Sequence, residues 1–121
     1  MKSYTDIEQS KKLAEILPLE SADNYYSWHD ERYYVVNKDC PYPYSLKEKI
    51  PCWSLATLLE IIPKHIKGYN VLRIDMGDNE FAIWYDEIGY GVNNDLPDVT
   101  KESAIDACYE MILKLHELKM L

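Results

Sequence analysis

The sequence predicts an α+β fold in which three helices alternate with two β-hairpins, in the order α-ββ-α-ββ-α, within one domain of residues 1–121. Residues 50–63 form an apolar segment bounded by prolines, which predicts a central helix. Residues 5–17 and 103–118 carry apolar residues at helical spacing, and aromatic or β-branched residues flank the central segment. We expect both hairpins to form one antiparallel sheet, with the central and last helices on one face and the first helix alongside.

The first third of the chain predicts a helix followed by a hairpin. The motif TDIE at residues 5–8 has the pattern of a capping box with Thr5 as the N-cap, and Pro18 ends the helix. Residues 25–36 are rich in Tyr, Trp and Val, and polar residues 29–31 interrupt them, which is typical of a hairpin. Its aromatic residues fit cross-strand pairs better than a binding site.

The central helix has a predicted start, end and buried stripe. Pro51 suits the first turn, where a missing N–H is not needed, and Pro63 ends the helix. The residues expected on the buried stripe are Cys52, Leu55, Leu59 and Ile62. Trp53 lies outside this stripe, and two interpretations are open. It packs beneath the preceding segment with its indole N–H bonded to a carbonyl, or it is an exposed anchor for a partner.

The second hairpin has the clearest strand pattern. Residues 69–76 and 80–85 alternate between apolar and polar, and the Gly-Asp-Asn sequence at 77–79 is typical of a turn. Residues 88–92 predict either a short edge strand or a loop, because two glycines weaken a strand. Residues 93–100 predict a loop.

The last helix is expected to begin at Ser103, with Asp106 completing a capping box. Its predicted buried stripe consists of Ile105, Cys108, Ile112 and Leu115.

The chain is acidic, with a formal net charge of −8, and 47% of its residues are hydrophobic. This composition argues against disorder, and the negative charge disfavours direct nucleic-acid binding. Residues 74–100 contain no Lys or Arg, and their seven carboxylates are Asp75, Asp78, Glu80, Asp86, Glu87, Asp95 and Asp98. Two interpretations are open: a solvated rim that maintains solubility, or a surface that attracts a basic partner.

The cysteines favour a reducing compartment, because Cys40, Cys52 and Cys108 are odd in number and form no CxxC pair. Residues 1–12 lack the apolar core of a signal peptide, and no stretch approaches the ~18 apolar residues of a membrane helix. We therefore expect a cytoplasmic protein without a membrane span. Cys40 falls in residues 39–49, a predicted loop, and is the one cysteine placed to react.

No motif for catalysis, cofactor binding or metal binding is present, and we predict none of these sites. The four glycines cannot form a P-loop or a GxGxxG motif. None of the histidines, His29, His65 and His116, lies at ligand spacing from a carboxylate or a cysteine. A Cys–His pair assembled in space remains open, since such partners need not be close in sequence.

Three segments, in this order, resemble a group of uncharacterised proteins of about this length from anaerobic gut bacteria and their phages and mobile elements. They are TDIEQSKKLAEILPLESADNYY, IPCWSLATLLEIIP and ESAIDACYEMILKLHELKML. Members often carry Asn-Pro before the closing Asp-Ala segment, where this chain has Glu102-Ser103-Ala104. The resemblance implies a phage- or mobile-element-associated accessory protein and assigns no catalytic residue.

The leading hypothesis is a non-enzymatic module that binds a protein partner through the acidic side formed by residues 74–100. The candidate partner-binding residues are Trp53, Asp86, Glu87 and Tyr90. The hypotheses for its partners also include a homodimer. A second hypothesis is an inhibitor that presents its carboxylates as a DNA-like surface to a nuclease or DNA-binding protein, and a third is a small enzyme.

Overall fold

The computed structural model of the protein describes residues 2–39 and 49–121. These residues form two compact units, Ser3–Thr57 (the N-terminal unit) and Leu58–Leu121 with Lys2 (the C-terminal unit). The predicted α+β class is confirmed, and the order of helices and hairpins agrees in outline. The prediction of a single domain stays a prediction. The predicted loop at 39–49 lies almost wholly outside the described residues.

Helices and strands occur in the following order: α1 (Ile7–Ile16), a 3₁₀ turn (Leu19–Ser21), β1 (Asn24–His29), β2 (Arg32–Asn37), β3 (Ile50–Cys52), α2 (Leu55–Ile61), β4 (His65–Ile66), β5 (Asn70–Met76), β6 (Phe81–Glu87), β7 (Gly91–Val92), β8 (Val99–Lys101) and α3 (Ala104–Glu117).

α1 begins at a capping box, one residue later than predicted. The Asp6 carboxylate accepts from the Gln9 N–H (2.8 Å), and the Gln9 side chain accepts from the Asp6 N–H (3.0 Å). Thr5 is fully buried, and its hydroxyl lies 2.8 Å from the Ser10 hydroxyl. The predicted box of Thr5 and Glu8 is therefore wrong, because the Thr5 hydroxyl is used inside the unit.

β1 and β2 form the predicted first hairpin. Asp30 and Glu31 form its turn with positive φ angles of 50° and 65°, the geometry of a type I′ turn. Trp28 and Tyr33 face each other across the strands, with ring centroids 4.9 Å apart in an edge-to-face arrangement. Aromatic residues in this hairpin thus pair across the strands, as the sequence indicates.

β3 occupies the place where the sequence predicts the first turn of the central helix. It pairs with the free edge of β1, in the sheet order β2-β1-β3, and Pro51 faces Tyr25. Proline is tolerated because β3 is an edge strand, which bonds a neighbour on one side only. α2 begins later, after Ser54, whose hydroxyl accepts from the Thr57 N–H (3.4 Å).

The buried face of α2 differs from the predicted stripe. Leu58 and Ile62 are fully buried, whereas Leu55 and Leu59 are only half-buried. Cys52 is buried as predicted, but as part of β3. Because α2 spans barely two turns, Leu58 and Ile62, four residues apart, define its inner face.

The C-terminal unit contains a five-stranded sheet centred on β6. Its order is β4-β5-β6-β7. Both β7 and β8 pair with the edge of β6 that faces away from β5: β7 with residues 86–87 and β8 with residues 81–83. Phe81, Ile83 and Tyr85 of β6 are buried, and α3 packs against β6 and β8. The two predicted hairpins therefore lie in separate sheets, not in one.

α3 confirms its predicted N-cap and its predicted buried stripe, and the bond from Asp106 back to the N-cap stays a prediction. The Ser103 hydroxyl accepts from the Asp106 N–H (3.4 Å), and the four residues of the predicted stripe are fully buried: Ile105, Cys108, Ile112 and Leu115. The Lys2 ammonium also bonds the Asp106 carboxylate (2.8 Å), next to the positive end of the helix dipole.

We expect Leu115→Ala to lower the free energy of unfolding by about 2–5 kcal/mol, because it leaves a cavity beneath α3. Leu118→Ala is the matched control: Leu118 is 48% exposed, and its truncation should cost no more than about 0.5 kcal/mol. Urea unfolding followed by circular dichroism measures both values. Equal losses in the two variants would contradict the packing described for α3.

Candidate functional site

The four candidate partner-binding residues fall in different units. Trp53 belongs to the N-terminal unit, whereas Asp86, Glu87 and Tyr90 belong to the C-terminal unit. The last three lie at the end of β6 and in the turn that leads to β7. They are neighbours in the fold because they are neighbours in sequence.

Trp53 is a core residue of the N-terminal unit. It is fully buried, and its indole N–H donates to the Ser21 hydroxyl (3.0 Å). Its main-chain N–H donates to the Thr5 hydroxyl (3.2 Å), and its carbonyl accepts from the Thr5 N–H (3.0 Å). The structure thus matches the buried interpretation, with a hydroxyl in place of the expected carbonyl, and we leave Trp53 out of the candidate surface.

Asp23 is a second polar site of the N-terminal unit, and the sequence pattern did not indicate it. Its carboxylate accepts from the Ser54 N–H (2.9 Å) and the Ser54 hydroxyl (2.5 Å). Burial raises the pKa of Asp23, but hydrogen bonds from Ser54 and Thr57 outweigh it, so the pKa lies below its ordinary value. The ionised carboxylate therefore ties the start of α2 to the residue before β1.

The β6–β7 tip is the most exposed apolar surface of the C-terminal unit, and we define it as Tyr69, Ile88, Tyr90 and Val92. Tyr90 is 83% exposed, more than any other large apolar residue that the structure describes. Main-chain bonds from Ile88 to Tyr69 and from Tyr90 to Glu87, both 2.9 Å, hold the tip. The sequence indicated Tyr90 but missed Tyr69, which precedes β5 and reaches the tip only through strand pairing.

Asp86 is fixed beside the tip by two side chains. Its carboxylate accepts from the Trp84 indole N–H (2.9 Å) and from Arg73 Nε (3.2 Å). Trp84 lies two residues away on the same face of β6, and Arg73 is opposite Trp84 on β5. The negative charge of Asp86 is thus partly balanced by Arg73, while the neighbouring Glu87 forms no ion pair within the described residues.

A groove of about 460 Å³ runs along β4 and β5, lined by Leu59, Lys64, His65 and residues 71–74. Lys64 donates to the carbonyls of Leu59 and Ile62 and so caps the end of α2. The remaining described lining is largely aliphatic. The groove therefore suits an apolar side chain.

The two cysteines that the structure describes are poorly suited to nucleophilic chemistry. Burial raises the pKa of the Cys52 thiol to about 12, and Asp23 adds to the effect. Burial likewise raises the pKa of Cys108 to about 12, although Lys64 opposes it. Cys40, the candidate reactive cysteine, lies outside the described residues.

Within residues 2–39 and 49–121, no helix is long and apolar enough to cross a membrane, and no group of three or more His, Cys, Asp or Glu side chains could hold a metal ion. Comparison with protein-family models, with curated proteins and with solved structures gives no match.

Asp23→Asn tests the polar site before β1. Because the fold lowers the pKa of Asp23, its stabilisation is present above about pH 4 and is lost as the pH falls through the folded value. We expect the variant to be about 1 kcal/mol less stable at pH 7, and the difference from the wild type to shrink below about pH 4.

Asp98→Asn is the matched control for Asp23→Asn. Because Asp98 is exposed, this substitution should change the unfolding free energy by less than about 0.5 kcal/mol at pH 7. Urea unfolding between pH 3 and pH 7 gives the comparison. A difference for Asp23→Asn that does not depend on pH would argue against a stabilising carboxylate.

In the native protein, Cys52 and Cys108 should react with N-ethylmaleimide on the order of 10³-fold more slowly than an ordinary thiol, because only the thiolate attacks and burial raises both pKa values. Denaturant should restore ordinary rates. Mass spectrometry of peptides after timed labelling measures each site separately. Rapid labelling of either cysteine before unfolding would contradict the burial described above.

Proposed function

We propose that the chain is a non-enzymatic protein-interaction module that binds a basic protein partner through the β6–β7 tip and the adjacent carboxylates of Asp86 and Glu87. The observation that carries this proposal is the exposure of Tyr90, 83%, at the end of a well-packed sheet. The setting, a phage or mobile element, is part of the proposal and rests on the resemblance of the three segments alone.

The composition of the tip supports a protein partner. Two tyrosines and two aliphatic residues are exposed at the end of the sheet where β5 begins and β6 leads into β7, and tyrosine is enriched at the energetic centres of interfaces. Such exposed apolar clusters are typical of interaction sites when polar residues surround them. Asp86 and Glu87 place negative charge beside the tip, and residues 74–100 contain no Lys or Arg, although Arg73 partly balances Asp86. A partner with Lys or Arg around an apolar pocket would complement both properties.

The tip is also held in place before any partner binds. The main-chain bonds at Ile88 and Tyr90 fix the turn, and Gly89 and Gly91 supply positive φ angles of 87° and 82° there. Trp84 and Arg73 hold the Asp86 carboxylate. A surface that needs little ordering loses less entropy on binding.

The distribution of carboxylates favours this proposal over a DNA-like surface. Asp78 and Glu80 lie in the β5–β6 turn, whereas Asp86 and Glu87 lie at the other end of β6. Only strand residues 81–85 lie between the two groups, so Glu80 and Asp86 are roughly 20 Å apart, and Arg73 partly neutralises the second group. Raised thiol pKa values and an aliphatic groove likewise favour an interaction module over the small enzyme of the third hypothesis.

A photo-crosslinking amino acid at position 90 should capture a basic protein from a lysate of the source organism. Capture should weaken when the salt is raised from about 0.05 M to about 0.5 M, because screening reduces attraction between opposite charges. Tyr90→Ala should lower the affinity for the identified partner roughly tenfold or more, while unfolding stability stays within about 0.5 kcal/mol.

The same crosslinker at position 34 serves as the control, because Tyr34 is an exposed tyrosine of the N-terminal unit, away from the tip in sequence. Mass spectrometry identifies the captured proteins. Equal capture from positions 90 and 34, or an unchanged affinity of Tyr90→Ala, would exclude the tip as the binding surface.

A further inference from the structure

The groove beside β5 follows the edge of this strand and not either face of the sheet. Its lining includes the four consecutive residues 71–74, together with Leu59, Lys64 and His65. Consecutive residues of a strand project to opposite faces, so a surface that touches all four lies along the edge. The main chain of β5 is therefore part of the groove wall.

One main-chain N–H group of this wall has no partner among the residues that the structure describes. The bond from the Gly77 N–H to the Glu80 carbonyl (2.8 Å) sets the phase of the β5–β6 ladder: odd-numbered residues of β5 face β6, and even-numbered residues face away. On the outward side, the Leu72 N–H donates to the Lys64 carbonyl (2.9 Å), and the pairing ends there. Ile74 is the next outward residue, and no described residue bonds its N–H.

The polar side chains that the structure describes in the lining are all basic: Lys64, His65 and Arg73. No carboxylate is among these lining residues, although the chain carries a net charge of −8. Lys64 uses two N–H groups for main-chain carbonyls at the end of α2 and keeps the third for a ligand. Arg73 uses Nε for Asp86 and keeps the N–H groups of its two terminal nitrogens.

The rest of the lining is aliphatic and consists of Leu59, Val71, Leu72 and Ile74. The volume of about 460 Å³ falls within the range of small-molecule sites, which is about 300–1,000 Å³. An aliphatic wall next to hydrogen-bond donors and positive charge is complementary to a molecule with an apolar chain and one anionic end.

We infer that the groove binds an aliphatic carboxylic acid of medium chain length, in its ionised form. One carboxylate oxygen accepts from the Ile74 N–H, and the guanidinium of Arg73 donates to the other. Bonds between ionised partners are stronger than those between neutral ones, and arginine suits the planar carboxylate. The chain of the acid packs against Leu59 and Leu72, which removes apolar surface from water.

The same wall disfavours two other kinds of occupant. A peptide strand needs a run of unpaired main-chain groups, but the segment around β4 covers the start of this edge and leaves only Ile74 and Met76 beyond Leu72. A carboxylate needs only one such N–H. An aliphatic amine would bring its ammonium group next to Lys64 and Arg73, where like charges repel.

This inference does not depend on the proposed function. Its site lies at residues 71–74 and around β4, and none of the four residues that define the β6–β7 tip lines the groove. Loss of acid binding would leave the proposed protein interface in place, and loss of the protein interface would leave acid binding in place.

Titration of isotope-labelled wild type with sodium octanoate, followed by NMR, tests the inference. The Ile74 amide signal should shift and saturate, with a dissociation constant below about 1 mM. Octanol has the same chain without the charge, and acetate has the same head without the chain, so each should bind at least about tenfold more weakly. Octanol binding as tight as octanoate, no saturation by about 5 mM octanoate, or an unmoved Ile74 amide would each overturn the inference.

His65→Glu should raise the dissociation constant for octanoate on the order of tenfold, because it adds a carboxylate to the groove wall. His116→Glu is the matched control, since His116 is also exposed in the C-terminal unit but lies on α3, outside the groove lining. Its dissociation constant should stay within about twofold of the wild-type value.

Thermal unfolding checks that both variants fold. If His65→Glu does not, Arg73→Gln and its control Lys101→Gln, on β8, decide in the same way, with the same two expected values. Equal affinities in the groove variant and its control would overturn the inference.

Discussion

The alternation of β6 between buried and outward side chains is the constraint on which the C-terminal unit depends. Phe81, Ile83 and Tyr85 are buried on the side where α3 packs, and the Tyr85 hydroxyl donates to the Pro63 carbonyl (2.7 Å). Because side chains in a strand alternate, Trp84 and Asp86 must project from the other face. The register with β5 then brings Arg73 to Asp86, and the same pairing sets which β5 residues turn their main chains outward.

The N-terminal unit depends more on polar contacts between distant residues. Thr5 bonds Trp53 through both main chain and side chain, and Asp23 bonds Ser54. Both pairs hold the segment around β3, which would otherwise be free to continue the helix that follows it. A buried polar group is costly unless it is paired, so these contacts favour one arrangement of β3 over its alternatives.

α3 and the second hairpin could be predicted from the sequence because each repeats one period over many residues. The central segment could not, because Pro51 fits the first turn of a helix and an edge strand equally well, and only pairing with Tyr25 decides. β4 and β8 have two and three residues, too few to show alternation. At the candidate site, Tyr90 could be identified from sequence. The contact between Arg73 and Asp86 could not, because it depends on the register of β5 with β6.

The pairing of β5 with β6 has a consequence for what a partner at the β6–β7 tip would detect. Tyr69 precedes β5 and Tyr90 follows β6, so the two tyrosines lie at the same end of the sheet only when these strands pair in their native register. A slip of one residue would turn every side chain of the shifted strand to the opposite face of the sheet. A partner that contacts both tyrosines would therefore distinguish the natively paired hairpin from a misaligned one.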